Sequence, residues 1–294
     1  KINLFGVSAK YIDYLKNEKF NSKHLNLSSI KIITSTGSPL AEESFKYVYN
    51  NIKEDVHLAS IAGGTDMVGC LVLGNLYSNV YKGEIQGQSL AIDVDVVTND
   101  GQSVKNGEKG ELIVRKPFPS MPVKFWGDKS GEKYHKAYFT KFKNIWHHGD
   151  FIERTSNNGF IMRGRSDATL NPGGVRIGTS EIYQQVEDID FITEGLVVGQ
   201  DYNDDVRIIL FVTTKDNKKL DEEKIKLIKR KIRKNCSPKH VPSMIIKVPE
   251  IPRTKSGKIV ELAVKKVING DKLDNIEAIA NPQCLNFFKK LFED

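Results

Sequence analysis

Two apolar runs with a helical pattern between them constrain the fold of this chain most. Residues 30–37, IKIITSTG, are rich in β-branched side chains and end at a glycine; residues 56–64, VHLASIAGG, end in the same way. Between them Pro39 stands where a helix can begin, with Glu42 and Glu43 in its first turn. This order predicts a βαβ unit, whose strands lie parallel in an α/β sheet.

The ends of these two strands are where the topology predicts a ligand. Open α/β sheets bind ligands beyond the carboxyl ends of their strands. Gly37, Ser38 and Pro39 follow the first strand, and Gly63, Gly64, Thr65 and Asp66 follow the second. Such small residues also form simple tight turns. However, Thr65 can bind a phosphate oxygen and Asp66 a divalent cation, so a binding site is an equal alternative.

After residue 81 the sequence changes to short alternating runs. AIDVDVV and GELIVRK predict antiparallel strands, and HHGDFIERTSNNGFIMRGR predicts a hairpin that turns at residues 157–159. Residues 193–214 predict a β pair, followed by an amphipathic helix with Asp221 as its N-cap. We therefore predict an α/β protein of two domains. Residues 1–165 form part of a large domain, a parallel α/β sheet with a small antiparallel β subdomain, and residues 166–294 form a small α+β domain.

The composition excludes several classes of protein. The chain has 294 residues, 28% of them charged, and it contains no apolar run of 18 residues that would span a membrane. Cys70, Cys236 and Cys284 are widely spaced and odd in number, which favours reduced thiols in the cytoplasm over a disulfide scaffold. The net charge of +7 is concentrated late in the chain, but no nucleic-acid-reading motif accompanies it. Any site for a polyanion should therefore lie late in the chain, and nucleic acid is not the expected partner.

Two short motifs suggest chemistry that their context does not support. His147, His148 and Asp150 suggest zinc, but adjacent histidines in a strand face opposite sides, and no further ligand is suitably spaced. Asp150 can instead cap backbone amides or bind the hydroxyl groups of a ribose. Residues 253–258, RTKSGK, suggest a Walker A loop, but the first glycine of that motif is missing. Lys258 is then either a surface lysine or a cation that a loop brings to a phosphate.

Taken in order, six segments resemble the core motifs of the adenylate-forming acyl-CoA synthetases. They are TSTGSPL, GGTD, GELIVRKPFP, HHGDFIER, GRSDATLNPGGVRIGTSEIY and IPRTKSGK. Further segments resemble the acetoacetate:CoA ligases of this family, among them LFGVSAKY, SPKHVP, and VELAVKKVINGDKL followed by IANPQCL. The resemblance extends nearly from end to end. It implies that a carboxylate attacks the α-phosphate of ATP to give an acyl-adenylate, from which the thiol of coenzyme A displaces AMP.

The resemblance also implies a role for each matched residue. In the nucleotide site, Gly37, Ser38 and Pro39 match the adenine segment, Gly63, Gly64 and Thr65 the segment at the acyl group and α-phosphate, Asp66 a position associated with Mg²⁺, Asp150 the ribose contact and Arg165 a nucleotide contact. Later in the chain, Asp167 matches the hinge of the small domain, and Lys258 matches the lysine of the adenylation step. Gly174 matches a glycine beside the pantetheine tunnel, Arg176 matches a phosphate contact, and Arg233 matches a coenzyme A contact.

Two features of the sequence keep alternatives open. Gly63 stands where the acetyl-CoA synthetases of the family carry a tryptophan, and this glycine leaves room for a larger acyl group. That room is consistent with acetoacetate and equally with other short or medium-chain acids, so only the family-wide resemblance favours acetoacetate. The family's Ser/Thr/Gly-rich phosphate loop is not found upstream of TSTGSPL. We therefore expect the chain to be the C-terminal portion of a longer ligase, weak or inactive by itself. A non-catalytic nucleotide-binding remnant is the alternative from another class.

Overall fold

The computed structural model describes residues 1–203, 205–273 and 276–292. The chain divides into two compact units, Lys1–Met162 and Arg163–Asp294. Among the residues described, no helix is both long enough and apolar enough to cross a bilayer.

The first unit begins with a three-stranded parallel sheet. Its strands β1 (Leu4–Ser8), β2 (Ile32–Thr36) and β3 (His57–Ser60) lie side by side in chain order. Helix α1 (Ala9–Asn17) follows β1, while α2 (Glu42–Tyr47) and the π-helical turn Val48–Ile52 connect β2 to β3. Ile12, Phe45 and Leu58 from these elements pack into one apolar core. The parallel pairing of β2 with β3 confirms the predicted βαβ unit.

The helix and the second apolar run depart from the predicted bounds. Helix α2 begins after Ala41, so Pro39 precedes the helix by three residues and does not start its first turn. The run 56–64 is divided, because β3 ends at Ser60 and a separate strand β4 (Ala62–Gly64) follows. Strand β4 pairs antiparallel with β5 (Gly69–Leu73). The two glycines therefore belong to a hairpin and do not end a parallel strand.

The rest of the first unit is antiparallel, as predicted. Strand β5 also pairs with the short β6 (Gly87–Gln88). A four-stranded sheet contains β7 (Val94–Val97), β8 (Lys109–Val114), β9 (Trp146–Arg154) and β10 (Phe160–Arg165) in the order β10-β9-β8-β7, with α3 (Glu132–Tyr138) between β8 and β9 in the chain. The β9–β10 connection turns at Asn158, whose φ is +59°. Trp146, Leu112 and Ile152 lie in the core of this region.

The second unit is a sheet with helices on both faces. Strands β11 (Ile192–Tyr202) and β12 (Asp205–Thr214) are antiparallel, and β13 (Met244–Lys247) lies parallel to β12. Alternate residues of the long strands enter two cores, one with α4 (Thr179–Val186) and α5 (Glu222–Asn235), the other with α6 (Glu261–Ile268) and α7 (Leu285–Lys290). The Asp221 side chain accepts a 2.9 Å hydrogen bond from the backbone of Lys224, which confirms the predicted N-cap of α5.

Candidate functional site

Gly37, Ser38 and Pro39 lie just past the carboxyl end of β2. All three are exposed. Gly37 has a φ of +89°, a left-handed conformation that glycine adopts without strain. A Cβ atom at Gly37 would lie 4.0 Å from the Cβ of Ser8, the last residue of the neighbouring strand β1. This edge of the parallel sheet therefore presents an open backbone turn where a ligand can approach.

The turn between β4 and β5 brings a second candidate segment against β9. Thr65 and Asp66 are exposed in this turn. A Cβ atom on Gly64 would lie 2.5 Å from Asp66 Oδ1 and 3.1 Å from His148 Cε1. Gly64 is thus held between the Asp66 carboxylate and the imidazole of His148. Since His148 and Asp150 share strand β9, the turn and Asp150 belong to one region of the first unit.

The backbone of the hairpin accounts for Gly63. A Cβ atom there would come well inside van der Waals contact with the carbonyl oxygen of Gly69 and lie 2.5 Å from the Cα of Cys70. Both are backbone atoms of β5, so no rotation of a side chain relieves the clash. A larger residue would force β4 away from β5. Space for a large acyl group is therefore not needed to explain this glycine.

Strand β9 places Trp146, His148 and Asp150 on one face, where all three are buried. Trp146 Nε1 donates a 3.2 Å hydrogen bond to His148 Nδ1, and His148 Nε2 lies 3.6 Å from Asp150 Oδ2. An indole nitrogen can only donate, so Nδ1 is the acceptor and the proton of the neutral imidazole is on Nε2. The protonated nitrogen consequently faces the Asp150 carboxylate.

His147 points to the opposite face of β9 and has different partners. Its Nε2 lies 2.8 Å from Oε2 of the fully buried Glu111, and Lys141 Nζ lies 2.6 Å from the other oxygen of that carboxylate. The two adjacent histidines therefore do not converge on a common point. Across the described part of the chain, no group of three or more His, Cys, Asp and Glu side chains is arranged to hold a metal ion.

In the second unit, Arg165 and Asp167 lie near the carboxyl group of Glu261. Arg165 Nε is 3.6 Å from Asp167 Oδ1. Glu261, at the start of α6, accepts a 3.0 Å hydrogen bond from the Tyr183 hydroxyl, which itself accepts one from the backbone N–H of Val197. Burial raises the pKa of Glu261; the charge of Asp167 raises it further, while Tyr183 and Arg165 lower it. Arg165 and Asp167 are thus close enough to act on the charge of Glu261.

The glycine-rich segment before α4 forms a tight turn. Gly173 and Gly174, in the 3₁₀ turn Pro172–Gly174, have φ values of +56° and +75°. The Gly173 N–H donates a 2.8 Å hydrogen bond to Asp205 Oδ1, and this bond lowers the pKa of that carboxyl group. Arg176 Nε donates a long 3.4 Å bond to Thr169 Oγ1. Arg233 lies elsewhere in the unit, exposed in the last turn of α5.

Lys258 is exposed on a closed hairpin turn. The Thr254 N–H donates to Lys258 O at 2.8 Å, and the Lys258 N–H donates to Thr254 Oγ1 at 3.1 Å. Arg253 Nη1 donates a 2.6 Å bond to Gly257 O, and its Nη2 forms an ion pair with Glu194. Backbone bonds on both sides therefore fix the base of the Lys258 side chain.

A later segment of the chain braces this turn. Asn281 Oδ1 accepts a 2.9 Å hydrogen bond from the Arg253 N–H, and Asn281 Nδ2 donates one of 3.1 Å to Ile251 O. The Ala280 N–H also donates to Arg253 O at 2.7 Å.

The sequence did not point to Arg253 or Asn281 as supports of Lys258. Nor did it point to His148 as a partner of Asp150, although the alternation of Trp146, His148 and Asp150 along a strand was a signal that could have done so.

Solved structures show the class of fold to which these elements belong. A benzoate CoA ligase from Burkholderia xenovorans LB400 matches 90% of the chain with a TM-score of 0.72 at 22% identity, and the match covers 51% of the ligase. The anthranilate CoA ligase AuaEII matches 87% of the chain and 48% of its own length, with a TM-score of 0.71 at 18% identity. At these identities the likeness is one of fold, and the chain shares the fold of these two CoA ligases.

Closer relatives show the particular family. The acetoacetyl-CoA synthetase from Streptomyces lividans covers 98% of the chain with a TM-score of 0.91 at 38% identity. Acetoacetyl-coenzyme A synthetase from Rhizobium meliloti (strain 1021) is 55% identical over 291 residues, and that from Gallus gallus is 43% identical over 297 residues, each covering 99% of the chain. The chain belongs to the acetoacetyl-CoA synthetase family, which confirms the resemblance drawn from the motifs.

The chain spans less than half the length of these relatives. It corresponds to 45% of the Rhizobium meliloti and Streptomyces lividans proteins and to 44% of the Gallus gallus protein. No protein-family model matches it.

Proposed function

We propose that this chain contributes to an ATP-dependent acid–thiol ligase that forms acetoacetyl-CoA from acetoacetate, ATP and coenzyme A through an acyl-adenylate. The observation that carries the proposal is the 55% identity, over 99% of the chain, to an acetoacetyl-coenzyme A synthetase. In this proposal residues 1–165 belong to the adenylation domain and residues 166–294 form the small mobile domain, with Asp167 at the hinge. Free cysteines in the described residues support a cytoplasmic location.

The nucleotide site is proposed around Asp150 and the two candidate turns of the first unit. Asp150 would accept hydrogen bonds from the ribose hydroxyl groups, because an ionised carboxylate is an acceptor at both oxygens. Gly37, Ser38 and Pro39 would border the adenine ring at the open edge of the sheet. Gly63, Gly64 and Thr65 would lie at the acyl group and α-phosphate, and Arg165 would contact the nucleotide.

The exposed carboxylate of Asp66 fits a magnesium ligand. Mg²⁺ prefers oxygen ligands, and it is commonly held by one or two carboxylates together with substrate phosphates. Bound there with ATP, the ion would neutralise phosphate charge. Because Asp66 is one methylene group shorter than the glutamate associated with the metal in most of the family, a water-bridged contact is an alternative to a direct one.

Lys258 is the proposed catalytic cation of the adenylation step. Attack on the α-phosphate increases the negative charge on the phosphate oxygens, and a fixed cation stabilises that transition state more than the ground state. The turn described above suits this role, since it fixes the base of the lysine while leaving the side chain exposed. Gly174, Arg176 and Arg233 are proposed to meet coenzyme A and its phosphates.

A comparison of two lysines from the same turn tests the proposal. In the full-length protein that carries this sequence, Lys258→Ala should lower acetoacetate-dependent ATP–pyrophosphate exchange by about a hundredfold or more. Thioester formation from supplied acetoacetyl-adenylate should persist. Lys255→Ala, also exposed on this turn, is the matched control and should leave both steps near their wild-type rates. Equal loss of both steps in Lys258→Ala would mean that the lysine is structural.

Two further assays separate the remaining alternatives. Acetoacetate, acetate and butyrate, compared in the full-length protein, should give the highest kcat/KM with acetoacetate; preference for another acid would show a different acyl-CoA synthetase. The 294-residue chain alone is expected to be weak or inactive in pyrophosphate exchange. Clear exchange by that chain would contradict this expectation, whereas nucleotide binding with no activity in any form would favour a non-catalytic module.

A further inference from the structure

His148 lies between the two candidate segments of the first unit. The residue is only 8% exposed. Nδ1 accepts the hydrogen bond of Trp146, Nε2 faces Asp150 Oδ2 at 3.6 Å, and Cε1 lies 3.1 Å from the point where a Cβ on Gly64 would stand. One imidazole therefore links the proposed ribose carboxylate to the turn proposed to hold the acyl group and α-phosphate.

The aromatic core fixes the orientation of this imidazole. The Trp146 ring stacks on Tyr138 with centroids 3.6 Å apart and planes 12° from parallel, and it meets Phe118 edge to face at 5.4 Å. Trp146 is 2% exposed, so its N–H direction is set by packing. Because that N–H can only donate, it selects the His148 tautomer whose proton is on Nε2.

We propose that His148 is a positioning residue for the adenylation step. It directs the Asp150 carboxylate towards the ribose hydroxyl groups of ATP. The proposal rests on the ribose role proposed for Asp150. The Nε2–H group faces Oδ2 of this carboxylate, on the same strand β9. The present 3.6 Å separation is longer than a hydrogen bond; such bonds commonly shorten when the substrate is bound.

The same ring limits the Gly64 turn. The space in which a Gly64 side chain would stand is occupied by His148 Cε1 and Asp66 Oδ1. Movement of the imidazole would consequently disturb the turn as well as Asp150. This predicts that loss of His148 affects nucleotide recognition first, through Asp150, with a smaller effect on the acyl end of the site.

The tautomer can be measured in this chain without any nucleotide. With ¹⁵N-labelled histidine at a pH of about 8, ring-nitrogen NMR should show His148 protonated on Nε2, with the signal assigned by its loss in His148→Gln. Trp146→Phe removes the donor and should give a mixture of both tautomers. His147→Gln should leave the His148 signal in the Nε2–H form. An Nδ1–H tautomer in the wild type, or an unchanged tautomer in Trp146→Phe, would overturn the fixed orientation.

Deoxynucleotides test the link to the ribose in the full-length protein. The wild type should prefer ATP over 2′-deoxy-ATP or 3′-deoxy-ATP by about 10- to 100-fold in kcat/KM, the range expected for a hydrogen bond to a charged group. Asp150→Ala should abolish this preference. His148→Asn retains an acceptor for Trp146 but does not reach Asp150, and should lose most of the preference. His148→Gln extends an amide towards the Nε2 position and should retain more of it.

The outcomes distinguish this proposal from the proposed function. If His148→Asn lowers kcat/KM equally for ATP and both deoxynucleotides while Asp150→Ala abolishes the preference, His148 is merely structural and the proposal is wrong. If Asp150→Ala keeps the preference, the ribose role of Asp150 fails and the positioning role fails with it. The double variant should show the same absence of preference as Asp150→Ala alone, because the two residues act through one contact.

Discussion

Replacing Asn281 with alanine should loosen the turn that carries Lys258. The Asn281 side chain accepts a 2.9 Å hydrogen bond from the Arg253 N–H and donates one of 3.1 Å to Ile251 O. Because Ile251 is buried, water replaces the lost donor poorly. Two such bonds, each worth about 1 kcal/mol net, correspond to a loss of about 2 kcal/mol in the free energy of unfolding of the second unit.

Urea unfolding measures this loss. Both tryptophans lie in the first unit, so the transition is best followed through NMR amide signals of β12. With an m value of about 2 kcal/mol per molar, the midpoint should fall by about 1 M. The Arg253 amide should also exchange with solvent faster. Asn269→Ala is the control, since Asn269 makes one exposed 3.3 Å bond to Asp201 and should change stability by less than about 0.5 kcal/mol.

Two results would contradict the expected role of Asn281. One is an Asn281→Ala midpoint equal to that of the wild type, which would mean that the two hydrogen bonds contribute nothing to the second unit. The other is an equal loss in Asn269→Ala, which would mean that any asparagine of this unit is equally sensitive. In the full-length protein, a loosened turn should also lower the adenylation rate more than the thioester rate, because only the first step is proposed to use Lys258.

Three further substitutions have effects that follow from the geometry. Gly63→Ala should destabilise the first unit by about 1–3 kcal/mol in tryptophan-monitored unfolding, because its Cβ meets the β5 backbone; Gly87→Ala, which meets only the Asn75 side chain, is the control. Glu261→Gln should stabilise the second unit at neutral pH. Burial raises the pKa of Glu261 in the folded state. The protonated Glu261 therefore contributes to stability below the unfolded-state pKa, and this contribution is lost as pH rises through the folded-state pKa. If the free energy of unfolding kept the same pH dependence in Glu261→Gln, this expectation would be wrong. Asp221→Ala should cost about 1 kcal/mol through loss of the N-cap of α5, and an unchanged urea midpoint would argue against the cap.

Local patterns predicted the regular elements because those elements depend on neighbours in sequence. The β-branched run before Gly37, the turn at Asn158 and the cap at Asp221 each form from residues within a few positions of one another. The start of α2 was misplaced, because Pro39 is compatible with a first helical turn but the helix begins only after Ala41, whose backbone is extended. Sequence alone does not distinguish these two conformations.

The division of residues 56–64 shows what local patterns miss. An uninterrupted apolar run is consistent with one buried strand, but β4 forms only because β5 supplies an antiparallel partner. That pairing also dictates Gly63, whose missing side chain makes room for the backbone of β5. A glycine interpreted from sequence as an open acyl site is thus explained by strand pairing.

Short-range patterns were enough to predict the class of the protein: the βαβ unit, the antiparallel region, the order of six motifs and hence the acetoacetyl-CoA synthetase family. Which groups act on one another depends on the folded structure. His148 lies against Asp150 and Gly64, Asn281 braces Arg253, and the Tyr183 hydroxyl donates a hydrogen bond to Glu261. The reason is physical. Motifs reflect backbone preferences over short stretches, whereas the direction of a hydrogen bond or the tautomer of an imidazole depends on atoms that folding brings together from distant positions.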